Sequence, residues 1–182
     1  MNDLGELILD HYEKYLGEYA GADIYSNGSD QIQLLGYDNT IRDCLLFATF
    51  GLSKCADKVG GCCEAILVTD SDYDSCAEVF INSVFYAVTN GLSLSHGSLI
   101  TGADAVSTGF SSKHGKSAVY FTDIFLLPDD FAEIDDKCRM LMALLVSENE
   151  AEFIKTHGFT AFEDLLEEND VDVFDINRPS VV

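Results

Sequence analysis

The chain has 182 residues, 47% of them hydrophobic and 11% aromatic, with only two prolines. That is long enough to bury about 70% of the unfolded surface without help from disulfides or metal, and the composition excludes disordered or low-complexity classes. Thirty-two Asp and Glu against ten Lys and Arg give a formal net charge of -22, a field that repels phosphate backbones and anionic lipid and so argues against nucleic-acid or membrane binding.

The first helix is signalled by Asp3 and Glu6 as a capping box and by Leu4, Leu7, Ile8, Tyr12, Tyr15 and Leu16 at helical spacing, ending near Gly17 and Gly21. A short apolar run, 32–35, meets a polar turn at 36–39. Runs at 44–50 and 65–68 read as strands. Ser71 and Asp74 predict a capping box for a long helix over 73–90, closed by Gly91. The Ser- and Gly-rich segment 92–115 reads as a long loop with a short helical piece. Two apolar runs, 118–127 and 138–146, are long enough for central strands, and Pro128-Asp129-Asp130 ends the first. Ser147 with Glu150, and Thr160 with Glu163, predict caps for two closing helices separated by Gly158. The tail 171–182 reads as an edge strand or a loose end. Strands and helices do not alternate strictly, so the expected fold is α+β: a single domain over 1–182 with a mixed β-sheet of about five or six strands flanked by helices.

No basic n-region or apolar h-region opens the chain, and no run reaches the ~20 apolar residues of a membrane span. A cytoplasmic location is therefore expected. The six cysteines (Cys44, Cys55, Cys62, Cys63, Cys76 and Cys138) are then expected as reduced thiols. They contain no C-x-x-C pair for zinc.

Chemistry-bearing residues are sparse. Asp70, Asp72 and Asp74 follow a strand at a spacing of two, which suits a hard cation or an aspartyl nucleophile of the haloacid-dehalogenase type. That motif takes Thr or Val where Asp74 stands, and a calcium loop needs Gly at Ser75 and Glu at Ile81. Helix capping and a favourable first turn are the plainer account of the same carboxylates. His114-Gly115-Lys116-Ser117 imitates a phosphate loop, but the required glycine is Phe110 and a strand follows. Of the histidines, His11 and His157 lie on helices, leaving His96 and His114, and no nucleophile elbow accompanies them.

Phe50-Gly51-Leu52-Ser53, the stretch 64–90, His96-Gly97, Tyr120-Phe121-Thr122-Asp123 with Leu126-Leu127-Pro128, the run 138–146, and Gly158, Ala161-Phe162 and Leu165 occur in an order and spacing that resemble the suppressor-of-fused domain family, especially its bacterial members. The resemblance spans residues 47–177. It implies a non-enzymatic binder: the animal protein sequesters a transcription factor in the Hedgehog pathway, and bacterial relatives act as immunity proteins in polymorphic toxin systems. The second domain that helps the animal protein grip its partner is not expected in a sequence this short, so the Hedgehog role is not carried over. The resemblance transfers no catalytic residues, cofactor or metal.

The expectation is therefore a protein-binding immunity protein without catalytic residues or cofactor, steered by its charge onto a basic toxin domain. Solubility alone accounts for the acidity equally well. The partner-binding candidates are Asp70, Asp72, Asp74, His96, Asp129 and Asp130. The alternative is a divalent-cation-dependent, phosphohydrolase-like enzyme using Asp70, Asp72 and Asp74.

Overall fold

The computed structural model describes residues 3–38, 40–41, 43–105 and 107–182. Asn39 of the expected 36–39 turn and Val106 of the expected loop lie outside the described residues. The strands are β1 (Gly21–Asn27), β2 (Asp30–Tyr37), β3 (Leu45–Phe50), β4 (Cys63–Thr69), β5 (Leu99–Thr101), β6 (Ala118–Asp123), β7 (Glu133–Ile134) and β8 (Cys138–Val146). The α-helices are α1 (Leu4–Leu16), α2 (Ala56–Val59), α3 (Tyr73–Asn90), α4 (Phe110–His114), α5 (Glu148–His157) and α6 (Phe159–Glu168).

All eight strands join one sheet in the order β1-β2-β3-β4-β8-β6-β5, with β7 against the start of β8. Only β4 and β8 pair in parallel among the described strands; the long stretch between them supplies the crossover that a parallel pair requires. The sheet is mixed and the class α+β, as expected, but it has eight strands rather than five or six. The extra ones escape a hydrophobicity pattern because β5 and β7 are very short and β1 is exposed along most of its length. A local signal for β1 did exist: Gly28-Ser29 is a two-residue hairpin loop with glycine first, Gly28 has φ +64°, and Asn27 pairs with Asp30 across it. The turn expected from Gly36 is displaced as well, since β2 runs on through Tyr37.

Strands β4 and β8 are buried on both faces, and hence read as nearly unbroken apolar runs. One face of the sheet packs under α3, whose Cys76, Val79, Phe80, Val84 and Val88 meet Ala65, Leu67, Val119, Phe121, Leu141 and Ala143. The other face carries α1, α5 and α6, with Ile8, Tyr12, Ile154 and Phe162 packed with Ile66, Tyr120, Met142 and Leu144. Each fully buried Phe or Leu contributes about 1.5–3 kcal/mol of transfer free energy.

The caps divide. Ser147 and Glu150 form the expected capping box on α5. Asp3 precedes α1 without a side-chain cap bond. Asp72, not Ser71, occupies the N-cap position of α3, in a left-handed conformation and without a side-chain cap bond. α6 starts after Gly158 without a side-chain cap, and Thr160 with Glu163 make no box. In the last two cases the carboxylates have better partners elsewhere in the fold. The tail is neither an edge strand nor loose. Asp70 N–H donates to Phe174 O (3.2 Å), Ile176 N–H to Asp70 Oδ1 (3.2 Å), and Lys116 Nζ to Arg178 O (2.7 Å), strapping the tail to the body.

Candidate protein-binding cleft

His96 lies between the end of α3 and β5, in the segment read as a long loop, and both its ring nitrogens meet carboxylates. Nδ1 is 2.8 Å from Asp123 Oδ2, and Nε2 is 2.8 Å and 3.0 Å from the two oxygens of Glu163. Two acceptors require two N–H donors, so the geometry favours the imidazolium. Burial alone would lower the His96 pKa; the Glu163 and Asp123 carboxylates outweigh it and raise it. Glu163 also accepts from Tyr120 Oη (2.8 Å) and Thr122 Oγ1 (2.7 Å). Tyr120 and Thr122, two apart on β6, share the strand face that α6 covers, which explains why Glu163 reaches into the sheet instead of capping its helix. The Phe159 ring lies tilted against His96, and a Cβ on Gly97 (φ +90°) would come within 2.6 Å of it, so this turn needs glycine.

This latch of His96 between Asp123 and Glu163 opens onto a cleft of about 530 Å³. Ile124, Phe125, Leu144, Leu166, Val171 and Val173 give it apolar walls, and Asp123, Glu163, Glu167 and Asp170 supply carboxylates. Phe125 is 57% exposed, a large ring held in solvent at the edge of an acidic groove. Exposed aromatics beside complementary charge are the usual anchors of protein interfaces.

Of the six residues singled out from sequence, His96 lines this cleft. Asp70 accepts from Ser71 and Ile176, holding the tail. Asp72 Oδ2 is 2.7 Å from Lys113 Nζ and 2.6 Å from His114 Nε2, while Oδ1 accepts from Ser75. Lys113, and to a smaller extent His114 and Ser75, hold the Asp72 carboxyl down at about 2 against the effect of burial. Asp74 is exposed on the first turn of α3. Asp129 and Asp130 are exposed on a 3-10 turn whose last residue, Phe131, anchors it in the core. The three carboxylates at 70, 72 and 74 thus diverge to different tasks, and among the described residues no group of three or more His, Cys, Asp or Glu is arranged to hold a metal ion. His114 is buried between Asp72 and Asn177. Lys116 of the false phosphate loop is buried too, its pKa lowered to about 8 first by burial and then by Arg178. Sequence reasoning missed Glu163, Phe125, Glu167 and Asp170, because α6 and the 124–125 segment meet only in the fold.

The pH dependence of the latch has a definite sign. The His96 pKa is raised in the folded chain, so its stabilisation is fully present below the unfolded value near 6.5 and is lost as pH rises through the folded value. The His96 ring protons should titrate above 6.5 by NMR, and Glu163→Gln should bring the midpoint down; an unchanged midpoint in that variant would show the latch does not hold the proton.

The sequence model for the family "Suppressor of fused protein (SUFU)" matches residues 28–179. The chain belongs to the suppressor of fused family. Immunity protein YqcF of Bacillus subtilis (strain 168) is 29% identical over 122 residues, 65% of this chain and 62% of that protein; the match thus takes in less than two thirds of the relative's length. The fold is shared with the SUFU homologue of Neisseria gonorrhoeae FA 1090, at a TM-score of 0.79 and 14% identity over 98% of this chain and 96% of the other. It is also shared with a chain of the Sufu–Fu complex, at a TM-score of 0.63 and 12% identity over 97% and 91%. Two of the segments that carry the family resemblance, His96-Gly97 and Tyr120 to Asp123, converge with Glu163 on the latch beside the cleft. No helix among the described residues is long and apolar enough to cross a membrane.

Proposed function

We propose that this chain is an immunity protein that binds a toxin domain and neutralises it by occlusion, without catalysis. The observation that carries this reading is the cleft beside His96, where an exposed Phe125 stands among carboxylates on a chain of net charge -22. The field draws a basic protein surface in, and the apolar walls with Phe125 supply desolvated anchoring once it arrives. Family membership and the likeness to a Bacillus immunity protein support the same role. The cation-dependent phosphohydrolase reading lacks comparable support, because Asp72 is already paired with Lys113 and hydrogen-bonded to His114.

The test pairs the purified chain with the protein encoded by the adjacent gene. A stoichiometric complex that abolishes that protein's toxicity is expected, with association slowing steeply as NaCl rises from about 50 to about 500 mM. Phe125→Ala should weaken binding by at least tenfold, on the order of 1.4 kcal/mol or more, through faster dissociation. Glu167→Lys should act mainly on the association rate. Full toxicity in the presence of excess chain, or binding indifferent to both substitutions, would sink the reading.

A further inference from the structure

Cys62 and Cys138 stand beside one another at the parallel β4–β8 junction. The register pairs Cys63 with Arg139, so one residue earlier sets Cys62 next to Cys138, and Arg139 N–H donates to Cys62 O at 3.1 Å. Successive strand residues face opposite sides of a sheet. Cys63 accordingly enters the core beneath α3, whereas Cys62 and Cys138 both face the side covered by α1, α5 and α6. There the two side chains belong to the same packed cluster; burial first, and then the neighbouring Cys62, push the Cys138 thiol up. Neighbouring strands lie about 4.8 Å apart, inside the roughly 4.4–6.8 Å between Cα atoms that a disulfide spans.

Their accessibility differs. Cys138 is completely buried, while Cys62, at the mouth of β4, is only half-buried. The other half-buried thiol, Cys44, is pushed up first by burial and then by the carboxylates of Asp70, Asp172 and Asp43.

The geometry points to an oxidative modification site, in which a peroxide oxidises Cys62 and Cys138 resolves it as a disulfide. The Cys62 sulfur attacks one peroxide oxygen and breaks the O–O bond, leaving a sulfenic acid and one water. The Cys138 sulfur then displaces the sulfenyl oxygen as a second water and forms the S–S bond. Two electrons leave the two sulfurs, and hydrogen peroxide is reduced to two waters. The cross-link would tie the β1–β4 half of the sheet to the half formed by β5, β6, β7 and β8 at the parallel β4–β8 seam. Because it closes a long loop, it should raise Tm by roughly 5 °C or more.

The experiment treats the folded full chain with hydrogen peroxide, then quenches, denatures and counts thiols. From six cysteines, the expected result is the loss of two thiols, a mass decrease of about 2 Da, and a cross-linked peptide pair carrying positions 62 and 138. Cys62→Ser and Cys138→Ser should each abolish the link, and Cys63→Ser should leave it intact. Six thiols still titrating, oxygen added to Cys62 without a link, or a link that survives Cys62→Ser or vanishes in Cys63→Ser would overturn the assignment.

Discussion

Glu64→Ala is expected to lower the free energy of unfolding by about 4 kcal/mol or more, read from urea melts near neutral pH. Glu64 is fully buried in β4, and its carboxylate gathers four donors from the end of β3 and the turn that leads out of it. Oε1 accepts from Gly51 N (2.9 Å) and Ser53 N (3.1 Å), and Oε2 from Leu52 N (3.2 Å) and Thr49 Oγ1 (2.6 Å). Thr49 Oγ1 accepts in turn from Ala65 N at 2.9 Å. Alanine would strand three backbone N–H groups and a hydroxyl where water does not reach, each at about 1–3 kcal/mol. Glu6→Ala, at an exposed position of α1, should stay within about 0.5 kcal/mol. If Glu64→Ala behaved like that surface control, the carboxylate would not be organising the turn.

Protonation adds a second readout. Burial pushes the Glu64 carboxyl up, against the pull of its donors. A raised carboxyl favours folding most below the unfolded value near 4.5, and that contribution declines as pH rises through the folded value. Glu64→Gln cannot titrate, so its deficit relative to the parent should narrow as pH rises.

This cluster also explains a stretch that was legible only as a pattern. Phe50-Gly51-Leu52-Ser53 contributed to the family resemblance without any evident chemistry. In the fold its backbone wraps one buried carboxylate, with Gly51 at φ +110°, where an added Cβ would sit 3.1 Å from Gln31 O. Glu64 itself was invisible as a ligand for that turn, because the bonds span up to fifteen residues.

Glu150→Ala is the second large effect, expected at about 3–5 kcal/mol. Glu150 and Arg178 form an ion pair with side chains 0% and 4% exposed and Nη1–Oε1 at 2.6 Å. Glu150 also accepts from Ser147 N and Val181 N, so one carboxylate caps α5 and clasps the tail. Removing it leaves a guanidinium buried without its counter-charge, which costs far more than a surface pair is worth. Replacing both partners together, as Glu150→Leu with Arg178→Met, should cost less than the sum of the single changes, and urea melts of the four proteins give the coupling directly. Additive losses would mean the two side chains stabilise the tail independently. Burial raises the Glu150 carboxyl, but the Arg178 guanidinium and the backbone donors more than offset it, so the folded pKa is lowered. The clasp is therefore fully present above the unfolded value near 4.5 and is lost as pH falls through the folded one. Asp72, held at about 2 by Lys113 and His114, should lose its contribution over the same acid range, down to about pH 2.

What the amino-acid sequence determined by itself is the local and periodic part. The bounds of α3 and β8, the Ser147–Glu150 box, the α+β class and the acidic field follow from hydrophobic period, capping chemistry and charge count, which depend on near neighbours in the chain. The tertiary structure decided where the polar side chains spend their hydrogen-bonding capacity. Glu163 and Asp72 look like helix-end residues in sequence, yet Glu163 binds His96, Tyr120 and Thr122, and Asp72 binds Lys113 and His114. It likewise turned a tail read as an edge strand or a loose end into a strap around a buried ion pair, and brought α6 beside residues 124–125 to open the cleft. A charged or polar group brought out of water takes whichever strong partner the packed elements set within about 3 Å, and those partners lie dozens of residues away along the chain.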